Sequence, residues 1–225
     1  MFYDFKIKLE IAHVKLISKS LDILKSISKG ELTRIQSLFQ ENKNSYTENK
    51  KDLPEIFDIR MTNLVHCLSD MQSKHFNNKT LNVLQLGDFG FLLVNIKQKF
   101  IDTGIIMKNK RLVYIEVNLS TQELNLIRTA TSLYYNILLG NFNCVENVIN
   151  FNVDDSFKQD LIDAGFLATN LLDHKIKLNI QDKIINRKAK WAYDIVVAID
   201  NIDKQDIIKN VGTLPKVKIT KNAKI

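Results

Sequence analysis

Histidine and cysteine fall close together at His66, Cys67 and His75, the raw material of a metal site. Zinc takes four ligands, or three and a water, at characteristic spacing. His66 and Cys67 are adjacent, so on a helix they point about 100° apart, and no Cys-x-x-Cys half-site accompanies them. The reading is a core cysteine with surface histidines, and no metal is expected. His13 and His174 stand alone. Asp173 beside His174 has the makings of a general base, but no nucleophile can be placed with it, and a surface pair accounts for it equally well.

Paired acids occur at Asp154-Asp155 and at Asp160/Asp163. The first pair precedes Ser156 and Phe157, where carboxylates favour a helix N-terminus, so capping explains it better than acid–base catalysis. Asp88-Phe89-Gly90 spells the metal-binding tripeptide of protein kinases, yet no glycine-rich phosphate loop or catalytic-loop pattern exists in the chain. No catalytic set and no cofactor are expected.

Basic groups gather in two places. Arg187, Lys188 and Lys190 lead into Trp191, a combination able to hold phosphates and stack a base. Against this, Trp191, Ile195, Ala198 and Ile199 share a helical face, which reads as core. Lys209, Lys216, Lys218, Lys221 and Lys224 form a basic tail without an acid. The net charge of +7 is spread unevenly: +6 over residues 1–112, −4 over 113–206 and +5 over 207–225. A basic first half and tail attract nucleic acid or an acidic protein; the plainer account of the tail is a solvated terminus. Arg187, Lys188, Lys190, Lys216, Lys218, Lys221 and Lys224 are the candidate contacts to phosphate or to an acidic partner.

The elements that position these residues follow from a repeat. Lys15–Phe39 and Asn125–Ile149 match without a gap at an offset of 110, with Leu16, Ile17, Ile27 and Gly30 meeting the identical Leu126, Ile127, Ile137 and Gly140. Upstream, Tyr3, Phe5, Ile7 and Leu9 alternate with polar residues, as do Val113, Ile115, Val117 and Leu119; period 2 makes each set one face of a half-buried strand. Each strand runs into a helical pattern. Ser120 and Glu123 have capping-box spacing, whereas Glu10 in the first copy is a weaker start. Gly30 and Gly140 fall where each helix must stop in a left-handed turn. Short second helices are expected near Glu31–Gln40 and Phe142–Ile149.

Beyond them, Glu41–Asp52 reads as a loop and Pro54–His75 as a helix with Ile56, Ile59, Leu64, Leu68 and Met71 inward. Phe89–Ile101, Ser156–Leu172 and Trp191–Ile202 also read as helices. Ile105–Met107 is expected to pair, through a turn at Lys108–Lys110, with the second strand, and Lys216–Thr220 to add an edge strand. The fold class is α+β, mostly helical: a tandem duplication of a strand–helix–helix unit with a small antiparallel sheet. The divisions are 1–110, 111–206 and the basic tail 207–225, with the two repeat units fused in one body.

Hydrophobic residues make up 45% of the 225, ordinary for a globular chain able to build a core. Cys67 and Cys144, each in an apolar run, read as buried free thiols of a reducing compartment. The N-terminus lacks the apolar core of a signal peptide, and no stretch approaches the roughly 18 apolar residues of a spanning helix. A cytoplasmic location without membrane association is expected.

The segments KLEIAHVKLISKSLDILKSISKG and ELNLIRTATSLYYNILLGNF resemble a motif of small accessory proteins of tailed, T-even-like phages, a Leu- and Tyr-rich helix ending in Leu-Gly-x-Phe. Here that ending is Leu139-Gly140-Asn141-Phe142; the first copy departs from it with Lys29-Gly30-Glu31-Leu32. The absence of a catalytic set and a duplicated body with two similar surfaces lead to the expectation of a non-enzymatic accessory protein acting on a protein partner, in the host cytoplasm if phage-encoded; the resemblance adds the prohead protease inhibitors as one named class. The alternative is a nucleic-acid-binding accessory protein using the basic first half and the lysine tail.

Overall fold

Alternation of apolar and polar residues does produce strands. In a computed structural model, which describes residues 5–41, 53–76, 83–103, 106–108, 112–149, 153–171, 187–202 and 218–221, β1 is Phe5–Glu10, β2 Ile106–Lys108, β3 Leu112–Leu119 and β4 Lys218–Lys221. They form one antiparallel sheet in the order β2-β3-β1-β4. The helices are α1 (Ile11–Ser28), α2 (Gln36–Gln40), α3 (Leu53–Phe76), α4 (Val83–Asp102), α5 (Thr121–Leu138), α6 (Asp155–Leu171) and α7 (Arg187–Asp200). The protein is mostly helical α+β.

The chain divides into two compact units. One comprises Met1–Leu21, Gln85–Ser132 and Trp191–Ile225, and the other Asp22–Leu84 and Leu133–Lys190. These units and the sequence copies are different divisions of the chain. Each unit draws segments from both sides of the expected division at residue 110.

The first unit holds the sheet. Ile7, Leu9, Ile115, Val117, Leu119 and Ile219 are buried along one face, and Lys6, Lys8 and Asn118 are exposed on the other. Alternation alone sorts these residues, because side chains two apart share a face. Lys6 pairs with Glu116 across the strands at 2.6 Å. The tail therefore contributes β4, whose Ile219 enters the core opposite Ile7.

The starts of α1 and α5 also belong to this unit and carry different chemistry at corresponding places. At α5 the Ser120 amide donates to Glu123 Oε2 at 2.8 Å, and the Glu123 amide donates to Ser120 Oγ at 3.2 Å. This is the reciprocal cap that their spacing predicts. Glu123 is buried and also accepts from Lys99 Nζ at 2.6 and 2.7 Å. In α1 its counterpart is His13, fully buried with its ring 5.9 Å from that of Trp191.

The second unit holds the corners. The Gly30 amide donates to Ile27 O and the Glu31 amide to Ser26 O, both at 2.9 Å; Gly140 to Ile137 O and Asn141 to Asn136 O repeat the pattern at 2.9 Å each. This double closure needs a left-handed residue, and Gly30 and Gly140 have φ of 80° and 77°. A 3-10 turn follows each, Leu32–Ile35 and Phe142–Val145. The first continues into α2, whereas residues 146–148 only turn. A short helix over Phe142–Ile149 is thus not formed: Asn147 and the β-branched Val145, Val148 and Ile149 favour helix less than Gln36, Leu38 and Gln40 do.

A further correction concerns α3. Ile56 and Ile59 do not face inward; Phe57, Met61, Leu64, Leu68 and Met71 are its buried residues and Ile59 is 64% exposed. Both phases offer apolar residues in the first turns, and the one chosen runs unbroken at spacings of four and three to His75. The other helices shift by a few residues at their ends; α4 begins six residues before Phe89. Tyr3, most of the Glu41–Asp52 loop, the turn at Asn109–Lys110, Asp173, His174, Lys216 and Lys224 lie outside the described residues.

Candidate functional site

Within the second unit α3 and α6 lie against each other. On another side α6 meets the corner after α5, where a Cβ added at Gly165 would stand 2.7 Å from Gly140 O. Asp154 Oδ1 accepts from the Phe157 amide at 2.8 Å, so it caps α6 as an acid at that place should. Asp160 does not serve the helix end. Its Oδ2 accepts from His75 Nε2 at 2.6 Å and from Lys74 Nζ at 3.0 Å, joining α6 to the C-terminal turn of α3.

His75, expected at the surface, is buried, with its ring 4.9 Å from Phe157 in an edge-on arrangement. It continues the inward stripe of α3 four residues after Met71. Burial pushes the Asp160 carboxyl up, but the hydrogen bonds from His75 and Lys74 and the Lys74 charge outweigh it, and the carboxyl titrates below its ordinary 3.8. A His–Asp pair of this kind is also how a hydrolase holds its base and orienter, beside a nucleophile. Here Phe157 covers the ring, and the thiol on the same helix, Cys67, lies eight residues, or about 12 Å of helix, away.

Cys67 and Cys144 are free thiols, as expected, but half-buried rather than buried. Burial, then the charges of Asp160, Asp163 and Asp70, raises the Cys67 thiol, while burial pushes Cys144 up to about 12. Thiols held protonated are poor nucleophiles. His66 is exposed, and among the described residues no group of three or more His, Cys, Asp or Glu could hold a metal ion. Asp88-Phe89-Gly90 lies inside α4. No described helix is long and apolar enough to cross a membrane.

At the other end of the α3–α6 pair, Arg60 Nη1 donates to Asn170 O at 2.6 Å. Arg60, Asn63, Phe166, Leu167 and Asn170 line an open groove of about 300 Å³. Phe166 is 66% exposed at its edge, and Ile59 and Ile162 (52%) are exposed on the same two helices. In the first unit, α4 buries Leu93, Ile96 and Phe100 yet exposes Phe91, Val94 and Ile101 on another face.

The basic candidates fall in both units. Arg187 opens α7, Lys188 lies 3.7 Å from Glu41 and Lys190 is exposed. Lys218 and Lys221 belong to β4, in the other unit, where Lys218 stands opposite Lys8 in the ladder. Trp191 is half-buried, while Ile195, Ala198 and Ile199 are buried, in keeping with a core face. The groove and the outer face of α4 had no signal in the sequence beyond apolar residues at more than one helical phase. No protein-family model, no curated protein and no solved structure matches the chain.

Proposed function

We propose that the chain is a non-enzymatic accessory protein that binds another protein through α4, in the cytoplasm, and in the host's if the chain is phage-encoded. The observation that carries this reading is a helix apolar on two faces. Leu93, Ile96 and Phe100 fill the core of the first unit, and Phe91, Val94 and Ile101 lie in solvent at i, i+3 and i+10. Large apolar side chains exposed on one side of a helix, here interrupted by Gln98, mark an interaction surface, and anchors at helical spacing suit a groove on a partner. Regulation of the partner, inhibition of a protease included, is the role this surface would serve. The test is affinity capture from nuclease-treated native cytoplasm with the wild-type chain and with Phe91→Glu/Ile101→Glu. A partner recovered by the wild type and lost with the variant is expected; equal recovery, or none, rejects the reading.

A second reading, nucleic-acid binding, has support of its own in the first unit. Lys8 and Lys218 occupy one rung of the β1–β4 ladder, which adds a basic position to that edge of the sheet, with Glu116 of β3 opposite Lys8 on its other side. Lys6 is exposed on the same face as Lys8. Single-stranded oligonucleotide binding should then fall steeply with salt and weaken in Lys8→Glu. No binding at low salt removes this reading.

A further inference from the structure

We infer that the outer face of α4 is covered, while no other protein occupies it, by the same face of a second copy, with the two helices parallel and in register. The inference rests on the reading of that face as a binding surface and adds its regulation: self-pairing shields the apolar residues until a partner takes them. Its basis is spacing. Phe91, Val94, Gln98 and Ile101 are all exposed, and they follow one another at three, four and three residues. Alternation of three and four, about 3.5 on average over a heptad, is the pattern of helices that pack along a common seam. Phe91 and Gln98 take one of its two core positions, Val94 and Ile101 the other. The buried Leu93, Ile96 and Phe100 centre about 150° round the helix from that seam.

Gln98 favours a second copy over a helix of other composition. A polar residue in a seam fixes the register, and it costs stability if it is buried against an apolar one. In a parallel, in-register pair Gln98 meets Gln98 of the other copy, and a carboxamide both donates and accepts. The flanking charges agree. Lys97 lies on one side of the seam and the exposed Asp102 on the other, five residues later. In a parallel pair these two flanking positions of neighbouring helices come together. Each Lys97 then faces Asp102 of the other copy, twice by symmetry. An antiparallel pair would set Lys97 against Lys97 and Asp102 against Asp102. Asp102 Oδ1 already accepts from Gln98 Nε2 at 2.6 Å, which holds the carboxylate at the edge of the seam.

The contact is small. Four side chains from each copy cover on the order of 700 Å² in all, below the roughly 1,200 Å² of a stable interface and in the range of transient ones. A cover of that size is one that a partner can displace.

Sedimentation velocity of the full chain at low salt, over a concentration series reaching about 1 mM, tests the inference. A reversible dimer is expected, lost in Phe91→Glu and unchanged in Phe166→Glu on α6. Lys97→Asp and Asp102→Lys each set like charges across the seam twice and should weaken the dimer at least about tenfold. The two variants mixed, or both changes in one chain, should restore it. A wild-type chain that is monomeric throughout, a dimer indifferent to Phe91→Glu, or a charge reversal that restores nothing overturns the inference. If Lys97→Asp fails to fold, Asp102→Lys and Phe91→Glu decide. The dimer is read without any other protein present, so its failure and that of the capture experiment are told apart.

Discussion

Ile7 pairs with Val117 across the β1–β3 ladder, and Val117 is the residue that stands 110 positions after Ile7, its own counterpart in the repeat. The neighbouring pairs exchange in the same way: Phe5 meets Leu119 and Leu9 meets Ile115, each the counterpart of the other pair's member. A local two-fold therefore passes between Ile7 and Val117. Both side chains are buried, at 0% and 2% exposure. Ile7→Ala should cost about 2–5 kcal/mol, and the double variant with Val117→Ala should depart from additivity by more than about 0.5 kcal/mol, as touching residues do. Denaturant unfolding of the four proteins in the cycle measures both.

Gly30 and Gly140 carry the same conformation but unequal crowding. A Cβ on Gly30 would stand 2.1 Å from Phe76 Cδ1, and one on Gly140 2.9 Å from Thr169 Oγ1. The left-handed backbone costs about 1 kcal/mol with any side chain, and crowding adds about 1–3 kcal/mol more. Gly30→Ala is expected to lower the unfolding midpoint more than Gly140→Ala, and Phe76→Leu should recover part of the difference.

Much of the fold was legible because it is local. Period 2 marked β1 and β3, the Ser120–Glu123 spacing marked the start of α5, and each corner needed glycine for a reason internal to one turn. The phase of α3 was not legible, since Ile56 and Ile59 compete with Phe57 and Met61 and only the helix's neighbours choose between them. His75 and Asp160 are 85 residues apart, and Arg60 and Asn170 are 110 apart. No pattern along the chain announces such links, and the Arg60 link ends on a backbone oxygen that every residue possesses.

Asp160 gives acid stability a defined sign. Its folded pKa lies below the ordinary 3.8, so its ionised form stabilises the fold fully above that value, and the contribution is lost as pH falls through the lowered one. Asp160→Asn should cost about 1–3 kcal/mol near neutral pH, the scale of a hydrogen bond to a charged group. The gap between variant and wild type should close in strong acid. Urea unfolding as a function of pH reads it; a gap that does not change with pH rejects the assignment.

Ser120 and Glu123 share one cap but not one burden. Ser120→Ala removes an acceptor at the helix start and should cost about 1 kcal/mol. Glu123→Ala also takes the carboxylate from Lys99, which is only 20% exposed, and breaking a buried pair costs about 3–5 kcal/mol. Thermal unfolding should therefore rank Glu123→Ala well below Ser120→Ala.

The two thiols should differ in rate. With Cys144 raised to about 12 by burial, its thiolate is scarce at mildly alkaline pH. A disulfide reagent added to the native protein should modify Cys67 first and Cys144 much more slowly. Denaturant should equalise them. Mass mapping of the modified peptides over time follows the order.

β4 lies on β1, and β2 lies on β3. β2 is thus hydrogen-bonded to β3, the strand that follows it, and β4, from the tail 207–225, to the first strand of the chain. During synthesis Phe5–Glu10 leaves the ribosome more than 200 residues ahead of Lys218–Lys221, and until then one of its edges has no strand to meet. A nascent chain that stalls before β4 would present an open edge, the kind of surface that chaperones shield and that neighbouring nascent chains can join.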